Sequence, residues 1–188
     1  MNLREIISRY QPYDEAEAAD KAQFLQFMDT FADVLTRENI FGHFCASAFV
    51  VNPARTDAIM VYHNIYDGWI IPGGHADGEE DLLSVALREI KEETNLDTRP
   101  LFEAPFAIQT DAIMGHIKKG KYIPSHLHFN VVYLLEADNT DTLAFRADES
   151  QGVNWFSLDD FTNPKLVVPF AQPIHRRMVT KLKEGNPL

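Results

Sequence analysis

The sequence is poor in cysteine and in positive charge, and each scarcity excludes a class of protein. Cys45 is the single cysteine among 188 residues, so no disulfide can form within the chain, which fits a reducing compartment. Lys and Arg number 17 against 28 Asp and Glu, and the net charge is −11. Proteins that bind duplex nucleic acid normally show the opposite balance. We therefore expect no duplex partner, whereas a small phosphorylated ligand whose charge is screened by metal ions remains compatible.

Long apolar runs are also missing. No stretch approaches the ~20 apolar residues that a membrane span needs, so we expect no membrane partner. The N-terminus lacks a basic start followed by an apolar stretch, so no signal peptide is expected, and the cytoplasm is the predicted location. Cys45 itself lies in the apolar run 45–51, where a buried strand residue is a better interpretation than a nucleophile.

The spacing of apolar residues predicts strands that alternate with helices. An amphipathic helix is predicted over Asp14 to Arg37, packed either on the domain or on a second subunit. A strong helix is predicted over Asp77 to Thr94. The other predicted elements are strands over 43–52, 58–63, 69–71, 100–113, 127–136 and 153–156, a helical turn over 158–161 and a terminal helix over 169–184. This order predicts an α/β domain over 41–188, with a mixed sheet between helical layers, and an N-terminal helical extension over 1–40.

The predicted helix over 77–94 carries two distinct faces. Asp77 is expected to cap it, with Glu80 completing a capping box. One face is apolar and should bury against the sheet: Leu83, Ala86, Leu87 and Ile90. Another stripe is acidic, because its members are three and four residues apart: Glu89, Glu92 and Glu93. Three clustered carboxylates offer the hard oxygen ligands that Mg²⁺ accepts, although three glutamates alone also fit a solvated acidic face.

The surroundings of these glutamates favour the metal interpretation. Pro72-Gly73-Gly74 precedes the helix, so the backbone can bend tightly and offer a carbonyl or an amide near the acids. Arg88 lies inside the acidic stretch, where it can hold Glu80 or Glu89 in place. Both features are expected of a built site rather than of a solvated surface.

The whole segment resembles the Nudix box. That motif runs Gly, five residues, Glu, seven residues, Arg-Glu, an aliphatic residue, any residue, Glu-Glu, any residue, Gly and an aliphatic residue. Eight positions match in register: Gly74, Glu80, Arg88, Glu89, Ile90, Glu92, Glu93 and Leu96. Asn95 stands where the family usually has Gly, and Asn is the next best residue at a left-handed helix end.

The resemblance implies a Nudix-type α/β/α sandwich and a hydrolase of diphosphate linkages. The implied metal is Mg²⁺, with Mn²⁺ as a substitute, held by Glu89, Glu92, Glu93 and the Gly74 carbonyl. Arg88 would orient these ligands. Glu89 or Glu149 would accept a proton from the attacking water, because some family members carry a carboxylate before a Trp such as Trp155. Asp148 is an alternative to Glu149, and Glu149 as an ordinary loop acid fits equally well.

Two further groups are candidates for binding substrate. His126 and His128 alternate on one strand face with Asn130 and can reach a phosphate or be satisfied in the core. Because the sequence offers no identifiable third ligand, a transition-metal site at this pair is the less favoured prediction. Lys118, Lys119 and Lys121 lie in a basic loop that can meet phosphate oxygens or form an exposed, solubilising hairpin.

The predicted function is Mg²⁺-dependent cleavage of a diphosphate linkage in a nucleoside-diphosphate-linked or similar small phosphorylated substrate, by a monomer or a homodimer. An isomerase of isoprenoid diphosphates is an alternative on a related scaffold. Cys45 would then donate or accept a proton at a carbon atom of the substrate. A catalytically silent ligand-binding or regulatory domain is another, but such domains usually lose acids from the box, and here all remain.

Overall fold

A single central sheet organises the computed structural model, which describes residues 1–118, 120–145 and 150–185. The strands are β1 (Gly42–Val51), β2 (Asp57–His63), β3 (Gly68–Ile70), β4 (Gly73–His75), β5 (Arg99–Pro100), β6 (Ala107–Ile113), β7 (His116–Lys118), β8 (Lys121–Ile123), β9 (His126–Glu136) and β10 (Ser150–Ser157). The helices are α1 (Leu3–Arg9), α2 (Glu15–Thr30), α3 (Leu82–Thr94), α4 (Leu158–Phe161) and α5 (Gln172–Lys183), with a 3₁₀ turn at Pro169–Ala171. This is the predicted α/β architecture, and the predicted turn over 158–161 is confirmed.

Strand β1 lies at the middle of the sheet and pairs in parallel with β9, while the other pairings of the sheet are antiparallel. The sheet order is β10-β2-β1-β9-β5, with β3 on β2, β4 on β1 and β6 on β9. All ten residues of β1 are buried, because helices cover both faces of the sheet. The mixed sheet between helical layers is thus confirmed.

Each face of the sheet has its own core. On one face, Phe44 and Phe129 pack with Phe24 and Phe27 of α2, and Ile90 of α3 joins them. The opposite face is covered by the C-terminal part of the chain, including Phe161, Ile174 and Met178. The N-terminal helices therefore complete the first core. Of the two predicted positions for the N-terminal helix, the structure shows the one on the domain.

Several element boundaries differ from the sequence prediction. Helix α2 ends at Thr30, because Phe31 is extended, and an additional helix, α1, precedes it. The predicted strand 100–113 is two strands, β5 and β6, and the basic loop forms the hairpin β7–β8. Short segments such as α1 carry too few apolar repeats to give a periodic signal.

Helix α3 begins five residues later than predicted. Asp77 does not cap it, since its φ of 47° is left-handed and its carboxylate pairs with Arg37 at 2.6 Å. Asp81 is the cap and accepts a hydrogen bond from the Ser84 amide at 3.2 Å. At the other end Asn95 has φ 63° and its amide donates to the Lys91 carbonyl, so the expected left-handed helix end is confirmed. The buried face comprises Leu82, Val85, Ala86 and Ile90, with Leu83 and Leu87 partly buried beside it.

Candidate active site

Strand β4 and helix α3 meet where the two glycines lie against two of the glutamates. Glu93 is buried, and its carboxylate accepts a hydrogen bond from the Gly73 amide at 2.9 Å. Glu89 lies against Gly74, where a β-carbon would stand 2.5 and 2.6 Å from its two carboxylate oxygens. Only a glycine can therefore occupy position 74 without moving Glu89. The backbone bend before the helix brings Gly74 to the acids, as the sequence predicts.

The third glutamate and the arginine lie at the rim. Glu92 is exposed, and among the described residues the three carboxylates of Glu89, Glu92 and Glu93 are not all within 4.8 Å of one another. Arg88 donates to Glu79 at 2.6 Å, and its other terminal nitrogen lies 3.8 Å from Glu89. The predicted partner Glu80 is replaced by its neighbour Glu79, because the helix starts after both residues and the loop turns Glu79 toward Arg88.

These residues fit a hard divalent cation. Carboxylate oxygens are the donors that Mg²⁺ prefers, and it usually keeps several waters, so it does not need a closed protein cage. The space that a β-carbon would fill at Gly74 lies directly beside the Glu89 carboxylate. A ligand set of Glu89, Glu92, Glu93 and the Gly74 carbonyl remains a prediction.

A cleft opens on the sheet face opposite α3. Its polar floor comes from neighbouring strands, with Cys45 and Ser47 on β1, Asp111 on β6, and His128 and Asn130 on β9. The Ser47 hydroxyl donates to Asn130 at 2.9 Å, and Asn130 lies 3.5 Å from Asp111. Burial raises the pKa of Asp111 to about 6, against the opposing effect of its hydrogen bonds from Gln109 and Asn130.

Aromatic side chains form a wall of the same cleft. Tyr66 stacks on His63 with ring centres 4.4 Å apart, and Phe170 meets Tyr66 edge-on at 4.9 Å. The cleft has a volume of about 110 Å³, and Gly73, Gly74 and His75 also line it. Strand β4 thus lies between the glutamates and the cleft, and its Gly74 both lines the cleft and contacts Glu89.

The predicted histidine pair is partly exposed, and one of its members reaches this cleft. The side chain of His128 lines the cleft, and the Nε2 atoms of His126 and His128 are 3.1 Å apart. His126 also contacts the Pro124 carbonyl through Nδ1 at 2.8 Å. The sequence indicates the shared face of His126, His128 and Asn130, and the structure places that face toward the cleft.

The sequence prediction missed three residues beside His128: His75 and Cys45, which line the cleft, and the buried His43. Their ligand atoms and that of His128 all lie within 4.8 Å of one another. The signal that could have found them is the His43-x-Cys45 spacing on β1, which repeats the alternation of His126-x-His128. The pairing of the strands that carry these residues is not visible in the sequence.

The remaining predicted residues are only partly described. Lys121 is exposed on β8, and Lys118 pairs with it across the hairpin β7–β8. Lys119, Asp148 and Glu149 lie outside the described residues. Their roles therefore remain predictions. No helix in the described parts of the chain has the length and apolar character needed to cross a membrane.

The chain is similar in sequence to a known domain family and to several enzymes. The NUDIX domain family model matches residues 43–178. An RNA pyrophosphohydrolase of Pelagibacter ubique is 30% identical over 120 residues, which cover 62% of this chain and 75% of the relative. The m7GpppN-mRNA hydrolase NUDT17 of Xenopus laevis is 32% identical over 85 residues, 45% of this chain and 27% of its own length.

Solved structures show the same fold. A NUDIX family hydrolase from Clostridium perfringens superposes with a TM-score of 0.53 at 20% identity, covering 74% of this chain and 97% of that one. An Ap4A hydrolase from C. elegans superposes with a TM-score of 0.52 at 20% identity, covering 76% of this chain and 98% of its own. The fold, the family match over 43–178 and the glutamates on α3 all agree. The chain therefore belongs to the NUDIX domain family of hydrolases.

Proposed function

We propose that this protein is a Mg²⁺-dependent hydrolase that cleaves a diphosphate linkage in a nucleoside-diphosphate-linked or similar small phosphorylated substrate. The observation that carries the proposal is the contact between β4 and α3: Gly74 makes room for the Glu89 carboxylate while Glu93 holds the Gly73 amide. This contact fixes two carboxylates beside a bend of the backbone. The relatives named for pyrophosphohydrolase activity support the same reaction class.

The reaction is attack of water on a phosphorus atom of the diphosphate. A bond forms between the water oxygen and phosphorus, and the bond from phosphorus to the bridging oxygen breaks, so the leaving phosphate keeps the electron pair. The proton of the water passes to a carboxylate, Glu89 or Glu149. Bound Mg²⁺ would neutralise charge on the phosphates and lower the pKa of the water. Glu89, Glu92, Glu93 and the Gly74 carbonyl would hold it, and Arg88, 3.8 Å from Glu89, would orient that carboxylate.

The cleft fits the rest of such a substrate. Tyr66 and Phe170 offer aromatic surfaces for a nucleobase, and His126 and His128 offer nitrogen donors to a phosphate. The cleft volume of about 110 Å³ is smaller than the ~300 Å³ at which ligand pockets usually begin, so part of the substrate would remain outside. Lys118, Lys119 and Lys121 would then attract its phosphates electrostatically, an effect that salt should screen.

The relatives are named for RNA and mRNA substrates, but a long nucleic-acid groove is not expected in this protein. The net charge of −11 disfavours a long groove for nucleic acid, so a 5′ end of RNA would be bound mainly through its terminal phosphates. A panel of a nucleoside triphosphate, a nucleotide sugar, a dinucleoside tetraphosphate and a 5′-triphosphorylated RNA oligonucleotide separates these cases. Phosphate release with and without added phosphatase measures each.

Substitution of the glutamates tests the mechanism. Glu89→Gln, Glu92→Gln and Glu93→Gln keep the side-chain shape but remove a negative charge, and we expect turnover to fall by at least about 100-fold. Asp97→Asn is the matched control, because Asp97 is an exposed acid just beyond α3 that pairs with Lys91 at 2.9 Å. Binding of Mn²⁺, followed by electron paramagnetic resonance, should weaken in the glutamine variants only. Normal hydrolysis by all three of them would show that the glutamates do not hold the metal.

A further inference from the structure

Strand register gathers four nitrogen and sulfur donors on the cleft face, away from the glutamates. His43 and Cys45 are two residues apart on β1 and therefore point to the same face. The parallel pairing of β1 with β9 sets His43 beside His128, and the antiparallel pairing with β4 sets Cys45 beside His75. Three strands thus contribute to one group, which we call the His/Cys group: His43, Cys45, His75 and His128.

The distances within the His/Cys group approach those of a metal site. One ligand atom from each residue lies within 4.8 Å of all the others. The ring centres of His43 and His75 are 5.0 Å apart, those of His43 and His128 4.9 Å, and those of His75 and His128 4.9 Å. Ligand atoms on a tetrahedral zinc ion are about 3.3–3.7 Å apart, given Zn–N near 2.0 Å and Zn–S near 2.3 Å. Contraction by about 1 Å is within reach of small side-chain rotations.

The buried ring of His43 gives a second reason, independent of the distances, to expect a ligand at the His/Cys group. It is 3% exposed, and neither ring nitrogen makes a hydrogen bond within the described part of the chain. Buried polar atoms without partners are rare and costly in proteins. Desolvation and the nearby His126 lower the pKa of His43 to about 4, and the Asn39 backbone, which lies outside hydrogen-bond geometry, opposes this only weakly. The ring is therefore neutral near pH 7. A neutral imidazole is the form that binds a metal, and a bound cation would satisfy one of these nitrogens.

The donor types select the metal. The His/Cys group contains three imidazoles and one thiol but no carboxylate, and such nitrogen and sulfur ligands favour Zn²⁺ and related transition metals over Mg²⁺. Burial raises the pKa of the Cys45 thiol, so the free residue keeps its proton and metal binding must release it. Asp111 lies opposite His128 in the β6–β9 register, where a carboxylate can orient a metal-bound imidazole.

We propose that His43, Cys45, His75 and His128 bind one transition-metal ion, with Zn²⁺ as the best fit, at a site separate from the glutamates on α3. His128 would then be a metal ligand instead of a direct contact to a substrate phosphate, and His126, whose Nε2 lies 3.1 Å from that of His128, would be left as the direct contact. The metal site needs neither substrate nor hydrolysis to form, so it can be tested independently of the proposed reaction.

Metal content and cobalt spectroscopy test the site on the full-length protein. We expect the purified chain, stripped with chelator and reloaded, to retain about one Zn²⁺ per chain after dialysis. Co²⁺ in its place should give a thiolate-to-cobalt charge-transfer band that Cys45→Ala abolishes. Loss of an outer partner of a metal ligand alone weakens binding ~10–100-fold, so His43→Gln and His75→Gln should weaken it by more than about 100-fold.

Two control variants make the result specific. His63→Gln changes a histidine that lines the same cleft but lies outside the His/Cys group, so it should keep the metal. Glu93→Gln should keep it as well, even if hydrolysis is lost, which separates this site from the proposed reaction. Because His43 is buried, His75→Gln at the partly exposed β4 guards against misfolding, which circular dichroism would reveal. Equal Co²⁺ binding by the wild type and the folded His75→Gln and Cys45→Ala variants, or loss of the metal in Glu93→Gln, would overturn the proposal.

Discussion

Helices α2 and α5 are joined by a buried ion pair whose removal should destabilise the protein strongly. Glu17 on α2 is fully buried, and its carboxylate accepts hydrogen bonds from the Tyr10 hydroxyl at 2.6 Å and the Tyr13 amide at 2.8 Å. Lys181 on α5 lies 3.6 Å away and donates to the Tyr10 hydroxyl at 3.0 Å. Its side chain is only 7% exposed. Desolvation lowers the pKa of Lys181, and Glu17 opposes that change.

Glu17→Gln keeps the volume and a hydrogen-bond acceptor but removes the negative charge that faces the buried Lys181 ammonium and, at 4.0 Å, the buried Arg177 guanidinium. Breaking a buried pair on one side typically costs about 3–5 kcal/mol. Domains are stable by only about 5–15 kcal/mol, so this is a large share. At about 2–4 °C per kcal/mol for a chain of this size, the melting temperature should fall by roughly 10 °C. Urea unfolding followed by circular dichroism measures the loss.

A double-mutant cycle separates the pair from the packing around it. Lys181→Met keeps the apolar stem, and the double variant should lose about 1–3 kcal/mol less than the sum of the two single losses. Glu15→Gln, an exposed acid on the same helix, should change stability by less than about 0.5 kcal/mol. If Glu17→Gln loses no more than Glu15→Gln, or if the two losses simply add, the buried pair does not join the N-terminal helices to the domain.

Two further predictions concern the active site and the response to acid. Gly74→Ala should lower turnover by about 100-fold with the fold retained, because the new methyl group displaces Glu89. Gly152→Ala is the control and should keep normal turnover, because the nearest atom to its new methyl group is 3.6 Å away. Equal turnover by the two variants would show that the contact between Gly74 and Glu89 is not needed for catalysis. Desolvation lowers the pKa of the buried His175 to about 4, so the unfolded chain binds more protons below pH 6.5 and stability falls toward pH 4, by up to roughly 3 kcal/mol. Urea unfolding at pH 7.5 and 5 should show a smaller loss for His175→Phe, and equal losses would contradict the assignment.

Helix α3 and its glutamates are well predicted from the sequence, because the residue patterns that predict them are local. The spacing of Glu89, Glu92 and Glu93 follows from helix geometry, and Asn95 marks the helix end by its left-handed backbone. The start was wrong by five residues because Asp77 and Asp81 are both plausible caps. Arg37, forty residues upstream, binds Asp77 and so leaves the capping position to Asp81.

The cleft was predicted only in part, because it depends on which strands pair. His126 and His128 could be assigned to one face from their alternation alone. His43 and His75 join them only through the register of β1 with β9 and β4, and residues 43 and 128 are 85 positions apart. Hydrophobic periodicity contains no information about such pairings, so the sequence left the two histidines without a third partner.

The parallel ladder between β1 and β9 has a consequence for the order of folding. Its partners are 85 residues apart along the chain, and a long loop must close before they meet, which slows folding. During synthesis β1 can pair with β2 and β4 first, but its other edge must wait until β9 has emerged. Helix α3, which would be only marginally stable alone, can form on β1 and β4 before that moment. The cleft cannot, because its floor is the ladder itself, so substrate recognition should be acquired in the last step of folding.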